Sequence, residues 1–204
     1  MRIIGITGPT GSGKTRLTER IASLGIPTVN ADELYHSMLL PPSECLDAIR
    51  TQFGDGVFCD DGTLDRPRLS QVVFSDEKKL ELLNRTVLDI VISRVRSIIK
   101  ELEAEGEQTI AIDAPTLIES GFNRECDTVI SVISSPDIRA ERISSRDGIS
   151  PQRASERIKA QRCDSFYTEN SDITVFNNGS IESFELKIDR LIESLGLTNT
   201  KERK

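Results

Sequence analysis

Residues 8–15 read Gly8-Pro9-Thr10-Gly11-Ser12-Gly13-Lys14-Thr15, and no other stretch narrows what this chain can fold into so far. The spacing Gly-x-x-x-x-Gly-Lys-Thr makes a loop whose backbone N–H groups turn inward around phosphate oxygens, an approach that a Cβ at the glycines would obstruct. Such a loop works only between a buried strand and a helix that directs its positive end at the same anion. Both flanks are present. The apolar run Arg2–Thr7 fits a buried strand, and 14–24 carries a helical pattern that stops at Gly25. Gly11, Ser12, Gly13, Lys14, Thr15 and Arg16 are therefore the expected nucleotide-binding residues. Lys14 is expected to reach the β- and γ-phosphates, and the Thr15 hydroxyl to complete the shell of a Mg²⁺ ion. No Asn-Lys-x-Asp segment for guanine occurs in the chain, so ATP is the expected nucleotide.

The rest of the chain alternates strand and helix signals. A second short strand is expected at 26–29, with Asp32 capping the helix that follows and Pro41-Pro42 closing it. From 43 to 105 the pattern is helical, interrupted at the turn 54–62. β-branched runs return at Thr109–Asp113, Thr128–Ile133 and Ile173–Phe176, with helices at 137–146, 151–162 and 181–195 between and after them. This order implies an α/β fold: a P-loop NTPase-type core of about five parallel strands covered by helices, with a helical insertion and a helical lid. The expected boundaries are 1–33, 107–136 and 164–197 for the core, 34–106 for the insertion and 137–163 for the lid. A frayed tail is expected from 198 onward.

Composition excludes several function classes. A net charge of −7 over 204 residues argues against nonspecific nucleic-acid binding, which needs a basic face to displace counterions. No window approaches the ~18 consecutive apolar residues of a membrane span. The first residues run straight into the phosphate loop, which leaves no room for a cleavable leader, so a cytoplasmic location is expected, with the protein acting as a monomer. Cys45, Cys59, Cys126 and Cys163 form no Cys-x-x-Cys pair and His36 is the single histidine, which disfavours zinc ligation.

Three further groups bear on chemistry. Asn30-Ala31-Asp32 follows the second strand at the same end of the sheet as the loop, where the Asp32 carboxylate serves either as a base toward an attacking hydroxyl or as a helix cap. Asp113 ends the third strand, where a carboxylate either holds a metal ion through water or closes a turn, and Glu119 is open to similar readings. The segment 137–163 carries seven basic and four acidic residues, +3 in a chain of −7. Arginines on a hinged flap over a triphosphate would neutralise developing charge and exclude water.

With these residues assembled, the sequence resembles the dephospho-CoA kinase family over nearly its whole length. The likeness is carried by Gly5-Ile6-Thr7-Gly8 through Lys14, by Asn30-Ala31-Asp32 and the residues around His36, and by Phe53-Gly54. It continues through Asp61-Gly62-Thr63-Leu64-Asp65-Arg66, Leu69, Val73-Phe74, Leu83-Asn84 and Pro115-x-Leu117-x-Glu119. Arg142-x-x-x-Arg146-Asp147-Gly148, Arg157-Ile158, Gln161 and the stretch from Asp172-Ile173 to Asn178-Gly179 complete it. The resemblance implies transfer of the ATP γ-phosphoryl group to the ribose 3′-hydroxyl of dephospho-CoA, through a CoA-binding helical insertion and a mobile lid. It implies Asp32 as the base, Lys14 and Arg142 as catalytic contacts to ATP, and Asn178-Gly179 as neighbours of the adenine. The chain departs from the family pattern on the acceptor side. Asn30 stands for an Asp, Val87-Leu88 for a His-Pro pair, Thr116 for a Leu and Tyr167 for a Lys. The alternatives are a P-loop kinase for another small-molecule hydroxyl and a non-catalytic ATP-binding regulatory protein.

Overall fold

The computed structural model describes residues 1–197; the tail expected to fray lies outside the described residues. The chain divides into two compact units, one of Met1–Asn30 with the chain from Glu103 onward, and one of Ala31–Leu102. The helices in chain order are α1 (Lys14–Ser23), α2 (Ala31–Ser37), α3 (Glu44–Phe53), α4 (Arg66–Phe74), α5 (Glu77–Ala104), α6 (Pro136–Asp147), α7 (Pro151–Lys159), α8 (Asp164–Glu169) and α9 (Ile181–Ser194).

The first unit is built on a parallel sheet of five strands. They are β1 (Arg2–Thr7), β2 (Thr28–Asn30), β3 (Thr109–Asp113), β4 (Thr128–Ile133) and β5 (Ile173–Phe176), in the order β2-β3-β1-β4-β5. β1 lies at the centre because its residues are apolar on both faces, as a strand covered from two sides must be. Ile4 and Ile6 share a face with Ala111, Ile130, Val132 and Val175, and there they meet Leu17 and Ile21 of α1 and Phe184, Ile188, Leu191 and Ile192 of α9 in one buried core. Ile110, Ile112, Val129 and Ile133 are buried on the opposite face, as the period of two requires. Gly5 belongs to that second face, where an added Cβ would stand 2.6 Å from the Leu117 side chain and 2.8 Å from Cys126 Sγ.

The helices of this unit begin where their end chemistry places them. Pro136 and Pro151 occupy first-turn positions, where a missing N–H costs nothing, and the Ser150 hydroxyl accepts from Arg153 N. α7 stops at Lys159, short of the expected 162, because the last turn tightens through Gln161 N donating to Ile158 O. The short helix α8 was not expected from the sequence. Six residues are too few to show a helical period.

The second unit packs α2 to α5 around Leu39, Cys45, Leu46, Ile49, Val57, Phe58, Leu69 and Val73. Ser43 and Asp65 cap α3 and α4 by accepting from Leu46 N and Arg68 N. The expected turn at 54–62 is present, pinned by a bridge between Phe58 and Leu64 and by the Arg50 guanidinium 4.3 Å from the Phe58 ring centroid. Val87, at one of the departures from the family pattern, packs half-buried against this cluster. Two sequence-based placements shift. β2 is Thr28–Asn30 rather than 26–29, and α2 starts at Ala31, so Asp32 lies inside the first helical turn instead of capping it. The α2 helix also ends at Ser37, before Pro41-Pro42.

Candidate active site

The phosphate loop leaves the C-terminal end of β1 and closes on α1. Two of its glycines are required by close approach. At Gly8, with φ +136°, a Cβ would stand 2.3 Å from the Val132 carbonyl oxygen; at Gly13, with φ +104°, it would stand 2.4 Å from Asn177 Nδ2. Gly13 is the N-cap of α1 and supplies no side chain, so the first N–H groups of the helix point into the loop without a competing cap. No acidic residue occupies the first turn of α1, which keeps its positive end available to an anion. Lys14 Nζ donates to Gly8 O at 2.7 Å and to Pro9 O at 3.3 Å, so the lysine bridges the two ends of the loop.

Arg142, on α6, is brought to this loop. Its Nη1 donates to Gly11 O at 3.2 Å, Ser12 O at 3.4 Å and Ser134 Oγ at 3.3 Å, and its Nη2 donates to Asn177 O and Oδ1 at 3.3 and 3.2 Å. Burial among these groups holds its guanidinium below the ordinary arginine range. Asn177, which sequence reasoning passed over for its neighbours, is 5% exposed, and its Nδ2 donates to Ser12 O at 2.8 Å. Asn178 braces the start of α6 by accepting from Ser135 N at 2.8 Å, and Gly179 is exposed beside Ser183. Gln161, beyond α7, accepts from Thr10 N at 3.1 Å.

The other basic residues of 137–163 take different partners. Arg139 is buried, pairs with Asp164 at 3.3 Å, and has Nε and Nη1 without a hydrogen-bond partner among the described residues. Arg146 and Arg157 both pair with Asp147, whose carboxyl they hold below its ordinary range, Arg146 foremost. Arg162 lies 5.4 Å from the Phe166 ring centroid. Of these arginines only Arg142 bonds to the phosphate loop among the described residues. Arg146 and Arg157 are thus held on a carboxylate of the hairpin itself, and Arg139 on Asp164 just beyond it. Arg16 likewise turns to Glu185 of α9 as an ion pair.

Asp113 ends β3 with 4% exposure, and Thr18 Oγ1 lies 3.1 Å from its Oδ2. In the sheet register Asp113 pairs with Ile6 and with Asn30. Asp32 follows two residues after Asn30, exposed on α2 in the second unit, and His36 is exposed further along with its ring 5.6 Å from that of Tyr35. Among the described residues no group of three or more His, Cys, Asp and Glu side chains is spaced to hold a metal ion. The oxygen donors beside the loop, the Thr15 hydroxyl and the Asp113 carboxylate, suit a hard cation that takes the rest of its shell from phosphates and water.

Beyond β3 a cavity of about 380 Å³ is lined by Pro115, Thr116, Glu119, Ala160, Gln161, Arg162 and Tyr167. Thr116 and Tyr167, two of the departures from the family pattern, share it. Burial, reinforced by Glu119, pushes the Tyr167 phenol up to about 12, so it stays a hydrogen-bond donor at neutral pH.

A parallel sheet in the order β2-β3-β1-β4-β5 with this loop at the end of its central strand defines a nucleotide-binding protein of the P-loop NTPase type. The same fold is found in a crystal structure from Thermus thermophilus, with TM-score 0.76 and 27% identity over 95% of this chain and 97% of that one. Dephospho-CoA kinase from Campylobacter jejuni shares it too, with TM-score 0.69 and 21% identity over 96% and 98% of the two chains. The family model for dephospho-CoA kinase matches residues 2–183. A dephospho-CoA kinase of Leifsonia xyli is 32% identical over 192 residues, covering 94% of this chain and 97% of that one. The chain belongs to the dephospho-CoA kinase family and is an ATP-dependent phosphotransferase. No helix among the described residues is long and apolar enough to cross a membrane.

Proposed function

We propose that this protein transfers the γ-phosphoryl group of ATP to the ribose 3′-hydroxyl of dephospho-CoA, giving CoA and ADP. The observation that carries the reading is a complete phosphate loop, with Lys14 spanning its two ends, in a chain that matches the dephospho-CoA kinase model over residues 2–183. Lys14 exchanges the Gly8 and Pro9 carbonyls for β- and γ-phosphate oxygens when ATP enters. The N–H groups of Gly11, Ser12, Gly13, Lys14, Thr15 and Arg16 surround the same phosphates.

The acceptor oxygen attacks the γ-phosphorus while the bond to the β–γ bridging oxygen breaks, and ADP carries away that electron pair. Asp32 accepts the proton of the attacking hydroxyl and orients it; in a loose transition state the orientation matters as much as the proton. Arg142 contributes positive charge beside the phosphates as that charge redistributes, and Asn178 and Gly179 border the adenine. A Mg²⁺ ion held by Thr15, with Asp113 behind it through water, would neutralise phosphate charge when bound. Residues 34–106 form the acceptor-binding insertion, 137–163 the lid, and 1–33, 107–136 and 164–197 the nucleotide-binding core. The proposal includes a monomeric enzyme in the cytoplasm with no nucleic-acid or membrane partner.

The test is coupled ADP release with Mg·ATP, with and without dephospho-CoA, followed by mass analysis of the product. A gain of one phosphate on dephospho-CoA that disappears in Lys14→Ala is the expected result. ATP binding without dephospho-CoA turnover would overturn the acceptor assignment and leave the nucleotide site standing.

A further inference from the structure

Among the described residues, the peptide between Ser12 and Gly13 is held at its carbonyl. Ser12 O accepts from Asn177 Nδ2 at 2.8 Å and from Arg142 Nη1 at 3.4 Å. A trans peptide is planar, and its C=O and N–H point in opposite directions. Fixing the Ser12 carbonyl on Asn177 therefore turns the Gly13 N–H the other way. That N–H belongs to the nucleotide-binding set, in a loop that functions only when such groups converge on an anion.

Asn177 is itself tightly placed. Its N donates to Ile133 O at 2.7 Å, its O accepts from Ser134 Oγ at 2.6 Å, and its Oδ1 accepts from Arg142 Nη2 at 3.2 Å. The side-chain amide has one possible orientation here. Its oxygen faces a guanidinium that can only donate, and its nitrogen faces a carbonyl that can only accept. The absence of a Cβ at Gly13 is also accounted for, since that Cβ would fall 2.4 Å from Asn177 Nδ2. The close approach that excludes every side chain at position 13 is the one that lets Asn177 reach the loop.

We infer that Asn177 is a positioning residue for the nucleotide: from the end of β5, together with Arg142, it sets the orientation of the Ser12–Gly13 peptide so that the loop meets a di- or triphosphate preorganised. It touches the loop's outer side and acts through the Ser12 carbonyl. The inference rests on ATP being the nucleotide but not on the identity of the acceptor.

Two variants test it. Asn177→Ala removes the donor without adding charge. Asn177→Asp keeps the shape, retains an oxygen for Arg142, and sets an acceptor against the Ser12 carbonyl. Calorimetry of wild-type and variant proteins with ATP and with ADP reads the effect without any acceptor, and thermal unfolding reads structural damage. Both variants are expected to lose about tenfold or more in affinity for each nucleotide, the scale of one lost hydrogen bond or somewhat above it. In steady-state assays KM for ATP rises while KM for dephospho-CoA holds. A third variant, Asn177→Leu, keeps a similar size with neither donor nor charge, so a lost donor weakens it as it does Asn177→Asp, whereas a repulsion between a new carboxylate and the phosphates spares it. Wild-type ATP affinity in Asn177→Ala, or in Asn177→Leu while Asn177→Asp alone is weakened, would overturn the assignment. If Asn177→Ala fails to fold, Asn177→Leu set against Asn177→Asp decides.

Discussion

Thr18 Oγ1 stands 3.1 Å from Asp113 Oδ2, so the helix that follows the phosphate loop is tied by a buried hydrogen bond to the carboxylate ending β3. The same hydroxyl lies 3.2 Å from Lys14 O, one turn back, and its single proton serves whichever acceptor it faces. Thr18→Val keeps the branched shape but withdraws the donor from a carboxylate with 4% exposure. The expected cost is about 1–3 kcal/mol, since a buried carboxylate loses a hydrogen-bond donor. At about 2–4 °C per kcal/mol for a chain of this size, the fall in Tm is readily measured. An unchanged Tm would show that Asp113 gains nothing from Thr18.

Lys14→Ala separates catalysis from folding. The lysine bridges loop carbonyls and contributes nothing to the apolar core, so stability should stay within about 0.5 kcal/mol. Phosphoryl transfer should be abolished, because Arg142 bonds to the loop at Gly11 and Ser12 and does not replace the ammonium that Lys14 holds at Gly8 and Pro9. Full turnover in this variant would remove the phosphate loop from the reaction.

Asp32→Asn asks whether the carboxylate is a base or only a favourable charge at a helix start. Asp32 lies in the first turn of α2, where a negative charge is worth about 0.3–1 kcal/mol against the helix dipole. A base role predicts a fall in kcat of about 10²–10⁴ with ATP affinity little changed. A loss under tenfold, with a small drop in Tm, would assign Asp32 to the helix end alone.

How much of this was legible beforehand depended on how local each signal was. β3 and β4 begin and end where their β-branched runs do, because a buried strand needs those residues continuously, and the edge strand β5, buried only at Val175, keeps its expected bounds as well. β2 slid by two residues at its start, where a three-residue strand offers almost no period. The phosphate loop could be read outright, since its chemistry and flanks are contiguous. What Arg142 bonds to could not be read, as its partners Gly11 and Ser12 lie far away in sequence. Nor could the pairing of Arg146 and Arg157 with the one carboxylate of Asp147, which depends on the fold of the hairpin turn. Asn177 was hidden for another reason. It adjoins the Asn178-Gly179 pair that carries the family likeness, and nothing in sequence tells which of two adjacent asparagines faces inward.

Alkaline pH should weaken the protein through Cys126. Its thiol, half-buried beneath Gly5 and beside Phe122 O, is pushed from an ordinary 9.0 up to about 12, first by burial and then by Glu125, Asp127 and Asp172. Between those two values the unfolded chain releases this proton and the folded chain keeps it. The folded state binds more protons there, so stability falls as pH rises, and the stabilisation is complete only below about pH 9. Tyr167, raised from 10.0 to about 12 chiefly by burial, adds to the fall at the upper end of the range. Cys126→Ala should therefore lower Tm at pH 7.5, by leaving a small void, yet flatten the decline in Tm between about pH 9 and 10, where the tyrosine contributes least. Thermal unfolding of both proteins across pH 7.5–10.5 checks this. Parallel curves would show that the thiol titrates alike in the folded and unfolded chains.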